Sequence, residues 1–407
     1  MNNLRHRFQA LATGLPRTYW LLWIGTFINR LGGFVVPFLT LYLTDQRGMP
    51  VSQAALMVSL FGAGSFTAAL VGGELSDRLG RRPVLLISFL LAPVNLMILG
   101  FARSATLIAP LLILQGFFTD LYRPAVNAAV ADLVLPADRP RAYGYIYWAI
   151  NLGFAFAPAL AGLLARWDYL LLFVGDSMTT FIFGMIVLWG VRETRPQEVV
   201  RPSGTSTGGR LKALRREPLM LIFSALALAF GTIYMQGNVT LPLDMRANGL
   251  GPNFYGLAIS VNGAIIVLLG IPASNAMTRL PRFGVLAAAA LLLGSGFGLT
   301  GLAHSLPIYA LSVAIWTLGE IAGATIAPAI VADLAPIDMR GLYQGIFGAA
   351  WGLALFTGPV IGGWVYEILG PGALWTGCLA LGALLAVAYL AMSGAAAKKM
   401  QRTLPAG

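Results

Sequence analysis

The chain has 407 residues, 57% of them hydrophobic and 11% charged, with a mean hydropathy of +0.76. Soluble domains carry about 25% charged residues, so a soluble fold is excluded and an all-α membrane protein is expected. A net charge of +11 would suit nucleic acid, but its placement reads as membrane topology, and no nucleic-acid partner is expected.

A helix needs about 20 apolar residues to cross a bilayer. Twelve segments qualify, at 18–44, 53–75, 83–102, 106–134, 142–165, 169–191, 218–245, 254–277, 283–303, 307–334, 342–369 and 371–393. The first is too long for a cleavable signal peptide and reads as a membrane span. It carries Arg30 near its middle, beside Phe27 and Asn29.

Spans two and three are joined by "GELSDRLGRR", Gly73 to Arg82. Gly73 permits close helix approach and Gly80 a tight turn. Asp77 can accept hydrogen bonds from Arg78, Arg81 or Arg82.

Span four contains "LQGFFTDLYRPAVNAAV". Gly116, Asp120, Arg123 and Asn127 are four, three and four residues apart and form one stripe; Gln115 lies beside it. Span five carries "GFAFAPALAG", with Gly153, Pro158 and Gly162. Small residues let helices approach and proline bends them.

Residues 192–217 form a Pro/Gly/Ser/Thr-rich linker. Its end, "GRLKALRRE", suits a short basic helix on the membrane surface. The linker separates two six-helix halves, 1–191 and 218–407.

The halves repeat. "VADL" at Val130 recurs at Val331, "APALAG" at Ala157 aligns with "GPVIGG" at Gly358, and "DRLGR" at Asp77 with "TRLPR" at Thr278, always 201 residues on. One offset for three matches indicates internal duplication, and membrane proteins with repeated halves often bind ligands at the midplane between them. Gly358, Pro359 and Gly362 belong to the second copy. Span seven adds Tyr234, Gln236 and Asn238, and span ten adds Trp316 and Glu320.

Of the 27 Lys and Arg, 21 fall on the side of the termini and linker, and four (Arg47, Arg103, Arg166, Arg246) on the other. The positive-inside rule then puts both termini in the cytoplasm of a multi-pass inner-membrane protein, with anionic headgroups as natural neighbours.

"GELSDRLGRR" fits GxxxDRxGRR at every defined position and resembles the loop signature of the major facilitator superfamily, as does the whole twelve-span duplicated chain. "GFAFAPALAG" resembles the GxxxGPxxGG motif of drug:proton antiporters, with Ala at two Gly positions. The resemblance implies two pseudo-symmetric six-helix bundles, a cavity lined by spans one, four, seven and ten, and a loop (Gly73, Asp77, Arg78, Gly80, Arg81, Arg82) that latches the halves on the cytoplasmic face. Thr278 replaces the acid in the second copy, so an asymmetric latch is expected. The antiporters' span-four arginine is Leu112 here; Arg123 is the available substitute.

An unpaired charge at the bilayer centre costs about 2.5–3.5 kcal/mol, so Arg30, Asp120, Arg123 and Glu320 must be paired or face a wet cavity. One reading is two closed ion pairs, Asp120 with Arg123 and Arg30 with Glu320. The other is proton coupling: proton binding at Glu320 or Asp120 would neutralise the acid, release an arginine and ease closure of the cavity. The expected cavity lining is Phe27, Asn29, Gln115, Asn127, Tyr147, Tyr234, Gln236, Asn238 and Trp316, and aromatics such as Trp23, Trp148, Phe347 and Trp351 can stack on flat or cationic compounds. Asp132 and Asp333, duplicates of each other, read as hinges or latches. Asp45, Asp244 and Glu367 read as solvated, and Asp176 has no assigned role.

Only His6, His304 and Cys378 are present as His or Cys. No nucleotide loop, metal cluster or cofactor motif is present, so an enzyme is not expected. The antiporter-like motif points to export in exchange for protons, an apolar cavity with few charges to small amphipathic compounds, and a monomer is expected. The alternatives are sugar, metabolite or lipid efflux, and a non-transporting receptor or scaffold.

Overall fold

The computed structural model describes residues 15–135, 138–195, 218–277, 280–335 and 340–403. Twelve helical spans are long and apolar enough to cross a membrane, and no strand occurs among the described residues. Helices satisfy their own backbone groups, which hydrocarbon cannot do.

Span one is Arg17–Leu31 then Val35–Asp45. Spans two to six are Val51–Leu79, Arg81–Phe101, Ala105–Leu133, Arg139–Trp167 and Leu170–Gly190. Span seven is Pro218–Tyr234, Gln236–Val239 and Leu241–Ala247. Spans eight to twelve are Pro252–Met277, Arg282–Thr300, Leu306–Leu334, Arg340–Ile368 and Pro371–Thr403. Of the expected linker, 196–217 lie outside the described residues, as does the expected basic surface helix.

Twelve crossings return the chain to the face where it began, hereafter the terminal face; the opposite one is the distal face. Within the first bundle span four packs on two and three, span six on three, and span one on five and six. Within the second, span nine packs on ten and twelve, span eight on ten, and span seven on eleven and twelve.

Spans one and seven were expected to be continuous, and both are broken. Span one stops at Gly32-Gly33, where an added Cβ at Gly32 would run into Thr179 of span six. The freed amide of Val35 donates to Asp176 Oδ2 of span six at 3.2 Å, and that of Phe34 turns back to the Gly32 carbonyl at 2.7 Å. Asp176 thus caps a half-helix inside the membrane, at its positive dipole end. Span seven restarts at Gln236, 201 residues after Val35, so both breaks obey the duplication. Its polar insert is Gln236, whose amide donates to the carbonyls of Thr232 (2.8 Å) and Gly358 (3.1 Å).

Candidate functional site

The halves meet along two seams of small residues. In one, spans five and eight touch through Ala155 against Gly263, Pro158 against Gly256, and Gly162 against Pro252 and Asn253; a Cβ on Gly162 would stand 2.8 Å from the Pro252 carbonyl oxygen. In the other, spans two and eleven touch through Gly62 and Leu355, Phe66 and Gly352, and Ala55 and Gly363. Without a hydrophobic drive between helices in lipid, such close packing supplies the attraction.

Both seams run from near the middle of their spans to the distal ends. The distal ends are also clasped: Arg246 pairs with Asp45, the Ser52 amide donates to Glu367, Thr40 Oγ1 donates to the Asn238 carbonyl at 3.4 Å, and Phe38 packs edge-on to Tyr255. Asp45 and Asp244 were expected to be solvated; Asp45 is instead part-buried in the clasp, and Asp244 is buried and accepts from Tyr309 and Trp375, while Glu367 is exposed as expected and also accepts the Ser52 amide. Toward the terminal face the facing glycines Gly73, Gly144, Gly345 and Gly348 have nothing within 4 Å of an added Cβ. Tyr143, Tyr147 and Trp148 of span five are exposed there. The space between the bundles therefore opens on the terminal face.

On the second bundle's wall stands half-buried Glu320. Tyr234 of span seven donates to Oε1 at 2.9 Å, and Asn262 of span eight donates to Oε2 at 2.6 Å and to Thr317 at 3.0 Å. Among the described residues no Lys or Arg forms an ion pair with it. Trp351 stands edge-on to Tyr234 at 6.0 Å.

On the first bundle's wall the charges are internally balanced. Arg123 Nε lies 2.7 Å from Asp120 Oδ1, with the Arg123 side chain 58% exposed. Arg30 donates to the Tyr122 hydroxyl and lies over its ring. The Arg30–Glu320 pair of the closed-pair reading does not form, because Glu320's oxygens are taken up by neutral donors of its own bundle. Gly153 allows spans five and one to touch at Arg30. Beside these charges Trp23 stacks on Phe27 and Trp148, and Trp23 Nε1 donates to the Tyr145 carbonyl at 2.8 Å.

Several expected lining residues sit elsewhere. Gln236 is 1% exposed and fills the break in span seven. Gln115 is buried between spans three and four, bonded to Asn95 and Thr119. Trp316 is buried and stacked on Phe297 at 5.4 Å. Each is buried within its own bundle rather than on the wall of the inter-bundle space. Asn29 is half-buried and donates to Thr180 of span six at 2.9 Å. Asn127 is exposed, and its carbonyl accepts from Tyr143. Asn238 sits at the distal contact. Gly358 packs on Met235, and Gly362 on the Gln236 side chain. These two glycines and Pro359 therefore lie in a helix that serves internal packing as well as the seam.

The Gly73–Arg82 loop bonds only within its own half among the described residues. Arg81 reaches Asp77 and Asp132, both at 2.9 Å, Arg82 donates to the Leu188 carbonyl, and Arg78 pairs with Glu74. The duplicated pair, Arg282 with Asp333, forms in the second half. The expected latch across the halves is not made here, because the terminal ends stand apart. Gly80, with φ at +104°, makes the turn. Glu193, not singled out by the sequence reading, accepts backbone N–H groups of Arg81 and Arg82 at 3.0 and 3.1 Å. An acid just past span six, opposite a basic loop, was the available signal. No group of three or more His, Cys, Asp or Glu suited to a metal gathers among the described residues.

The sequence model described as Major Facilitator Superfamily matches residues 22–245 and 237–403. The chain is 26% identical to the uncharacterized MFS-type transporter YttB of Bacillus subtilis (strain 168), covering 90% of this chain and 93% of that one. It is 23% identical to a Na(+), Li(+), K(+)/H(+) antiporter of Planococcus maritimus (86% and 92% covered). It is 25% identical to multidrug resistance protein MdtH of Aeromonas hydrophila (89% and 91% covered). Among solved structures, a mutant of the peptide transporter POT superposes with a TM-score of 0.80 at 17% identity, covering 95% of this chain and 96% of that one. That likeness concerns the fold.

Proposed function

Because the chain belongs to the Major Facilitator Superfamily, we propose that it exports small amphipathic organic compounds in exchange for protons, by alternating access. The carrying observation is Glu320: a half-buried carboxylate on the wall of the inter-bundle space, held by Tyr234 and Asn262, without a basic partner among the described residues. A carboxylate held by neutral donors can exchange its charge for a proton without breaking an ion pair. Asp120 is the secondary candidate, and Arg123 would be released when it is protonated.

The positive-inside rule makes the terminal face cytoplasmic in an inner membrane, so this conformation is open inward and closed outward. Substrate enters between the aromatic surfaces of Trp23, Phe27, Tyr147 and Trp148 on one side and Tyr234 and Trp351 on the other. Proton loss inside and binding outside alternate with it as the seams open and the Gly73–Arg82 loop engages. The names of two relatives, an alkali-cation/proton antiporter and a multidrug resistance protein, support exchange and export respectively. The protein acts as a monomer in this reading, with each bundle pair containing a whole pathway.

The test is transport by purified protein in proteoliposomes of a panel of amphipathic dyes, sugars and alkali cations, with and without an imposed pH gradient. Dye movement stimulated by the gradient in wild type and not in Glu320→Gln is expected. Normal gradient-driven rates in both Glu320→Gln and Asp120→Asn would overturn the assignment. Substrate binding without any transport would favour a receptor.

A further inference from the structure

We propose that a pocket on the distal face of the first bundle, lined by Tyr42, Arg47, Phe101, Arg103, Asp168 and Tyr169, binds the phosphodiester headgroup of one anionic phospholipid. Nothing in the transport reading requires this site, and its test does not depend on transport.

The sequence places four of 27 Lys and Arg on the distal side, and two of those four, Arg47 and Arg103, come from different loops to line one recess. The recess holds about 190 Å³, smaller than sites that enclose a whole ligand, so it takes a phosphate group with the rest of the lipid outside. With Asp168 the lining carries a net charge of one positive, which matches the single negative charge of a phosphodiester.

Arg47 supplies held positive charge and Arg103 the exposed donors. Arg47 is positioned by its bonds to the Tyr42 hydroxyl (2.5 Å) and the Gly100 carbonyl (2.9 Å), and its guanidinium lies 4.8 Å from the Tyr42 ring centroid. Its Nη1 also donates to the Gln46 carbonyl at 3.3 Å and its Nε is buried, so Arg47 offers the pocket a fixed positive charge. Arg103 is exposed on the short connection between spans three and four. Asp168 does not compete fully for these cations, since its Oδ1 accepts the Leu170 amide at 2.8 Å.

The lipid, rather than free phosphate, is indicated by what adjoins the pocket. Leu91, Val94, Ile98 and Phe101 are all exposed and spaced three, four and three residues apart, so they form one apolar stripe down span three. It starts at the pocket wall and runs toward the membrane centre, the path an acyl chain takes from a headgroup held at the interface. The same pocket also shares Tyr169 with the distal clasp: its hydroxyl donates to Asp45 Oδ2 at 3.0 Å, and Asp45 pairs with Arg246 of the second bundle. A bound headgroup would therefore rest against the residue that orients the clasp.

The experiment is native mass spectrometry of the full-length, delipidated protein titrated with phosphatidylglycerol, phosphatidylcholine or inorganic phosphate. One tightly retained phosphatidylglycerol is expected, with affinity lowered about tenfold in Arg103→Gln, the scale of one charge-assisted hydrogen bond, and largely kept in Arg103→Lys. Phe101→Ser should weaken the lipid without changing any response to inorganic phosphate. Equal binding of phosphatidylcholine, unchanged binding in Arg103→Gln, or displacement of the lipid by millimolar phosphate would each overturn the proposal.

Discussion

Replacing Gly162 by Val perturbs the seam between spans five and eight at a close backbone approach. A Cβ there would lie 2.8 Å from the Pro252 oxygen and 2.9 Å from Asn253 Cα, where ordinary contact begins at 3.4 Å. The spans must part by about half an ångström for the Cβ alone, and further for the two γ carbons. Overpacking of this kind costs about 1–3 kcal/mol, which lowers the ratio of distally closed to distally open protein about 5- to 150-fold. The assay is double electron–electron resonance between spin labels at Arg166 and Ala247, both exposed near the distal face, in a Cys378→Ala background. The longer-distance population should rise in Gly162→Val and less so in Gly162→Ala. Gly377→Val, where an added Cβ meets nothing within 4 Å, should leave the distribution unchanged. An unaltered distribution in Gly162→Val would show that this close approach does not hold the distal side shut.

Three further outcomes are expected. Arg246→Ala removes the clasp to Asp45, but the arginine is half exposed, so about 0.2–1 kcal/mol is lost and the same label pair should report a shift smaller than that of Gly162→Val; a larger one would place the closing energy in the clasp rather than the seams. Asp176→Asn turns one of the two acceptors that serve the Val35 amide and the Thr180 hydroxyl into a donor, costing about 1–3 kcal/mol, and should lower the thermal midpoint in detergent; an unchanged midpoint would refute the cap. Burial alone would raise the pKa of Glu193, but the N–H groups of Arg195, Arg81, Arg82 and Thr194 outweigh it and hold the carboxyl below its usual range. The stabilisation of a depressed acid is present above its unfolded value of about 4.3 and is lost as pH falls through the lower folded value. The thermal advantage of wild type over Glu193→Gln should therefore be full near neutrality and vanish in acid; an advantage independent of pH would refute the charge-based account.

The charged residues show where sequence reading works and where it stops. Asp120 and Arg123 were legible as neighbours because three residues on a helix make a local pair. The pairing of Arg81 with Asp132 and of Arg282 with Asp333 was legible only as a duplicated position, since the partner lies on another span. Gln236 and Glu320 look alike in sequence, as polar residues in the middle of apolar spans. One completes a helix break and the other faces the inter-bundle space, and the difference depends on which span lies opposite. Gly256 and Gly263 gave no signal at all, because glycine is common in membrane helices and its use appears only when another backbone arrives beside it.

Hydropathy and repetition are properties of the chain as a line, so the amino-acid order alone determined twelve crossings, their duplication at 201 residues and the loop that marks the family. It did not determine which face of each helix meets protein, because lipid and protein interior are equally apolar and leave no amphipathic stripe to read. The tertiary structure decided the breaks in spans one and seven, the distal closure, and the isolation of Glu320 from every arginine described. All three depend on distances between spans that are remote in sequence, where a shift of half an ångström separates contact from clash.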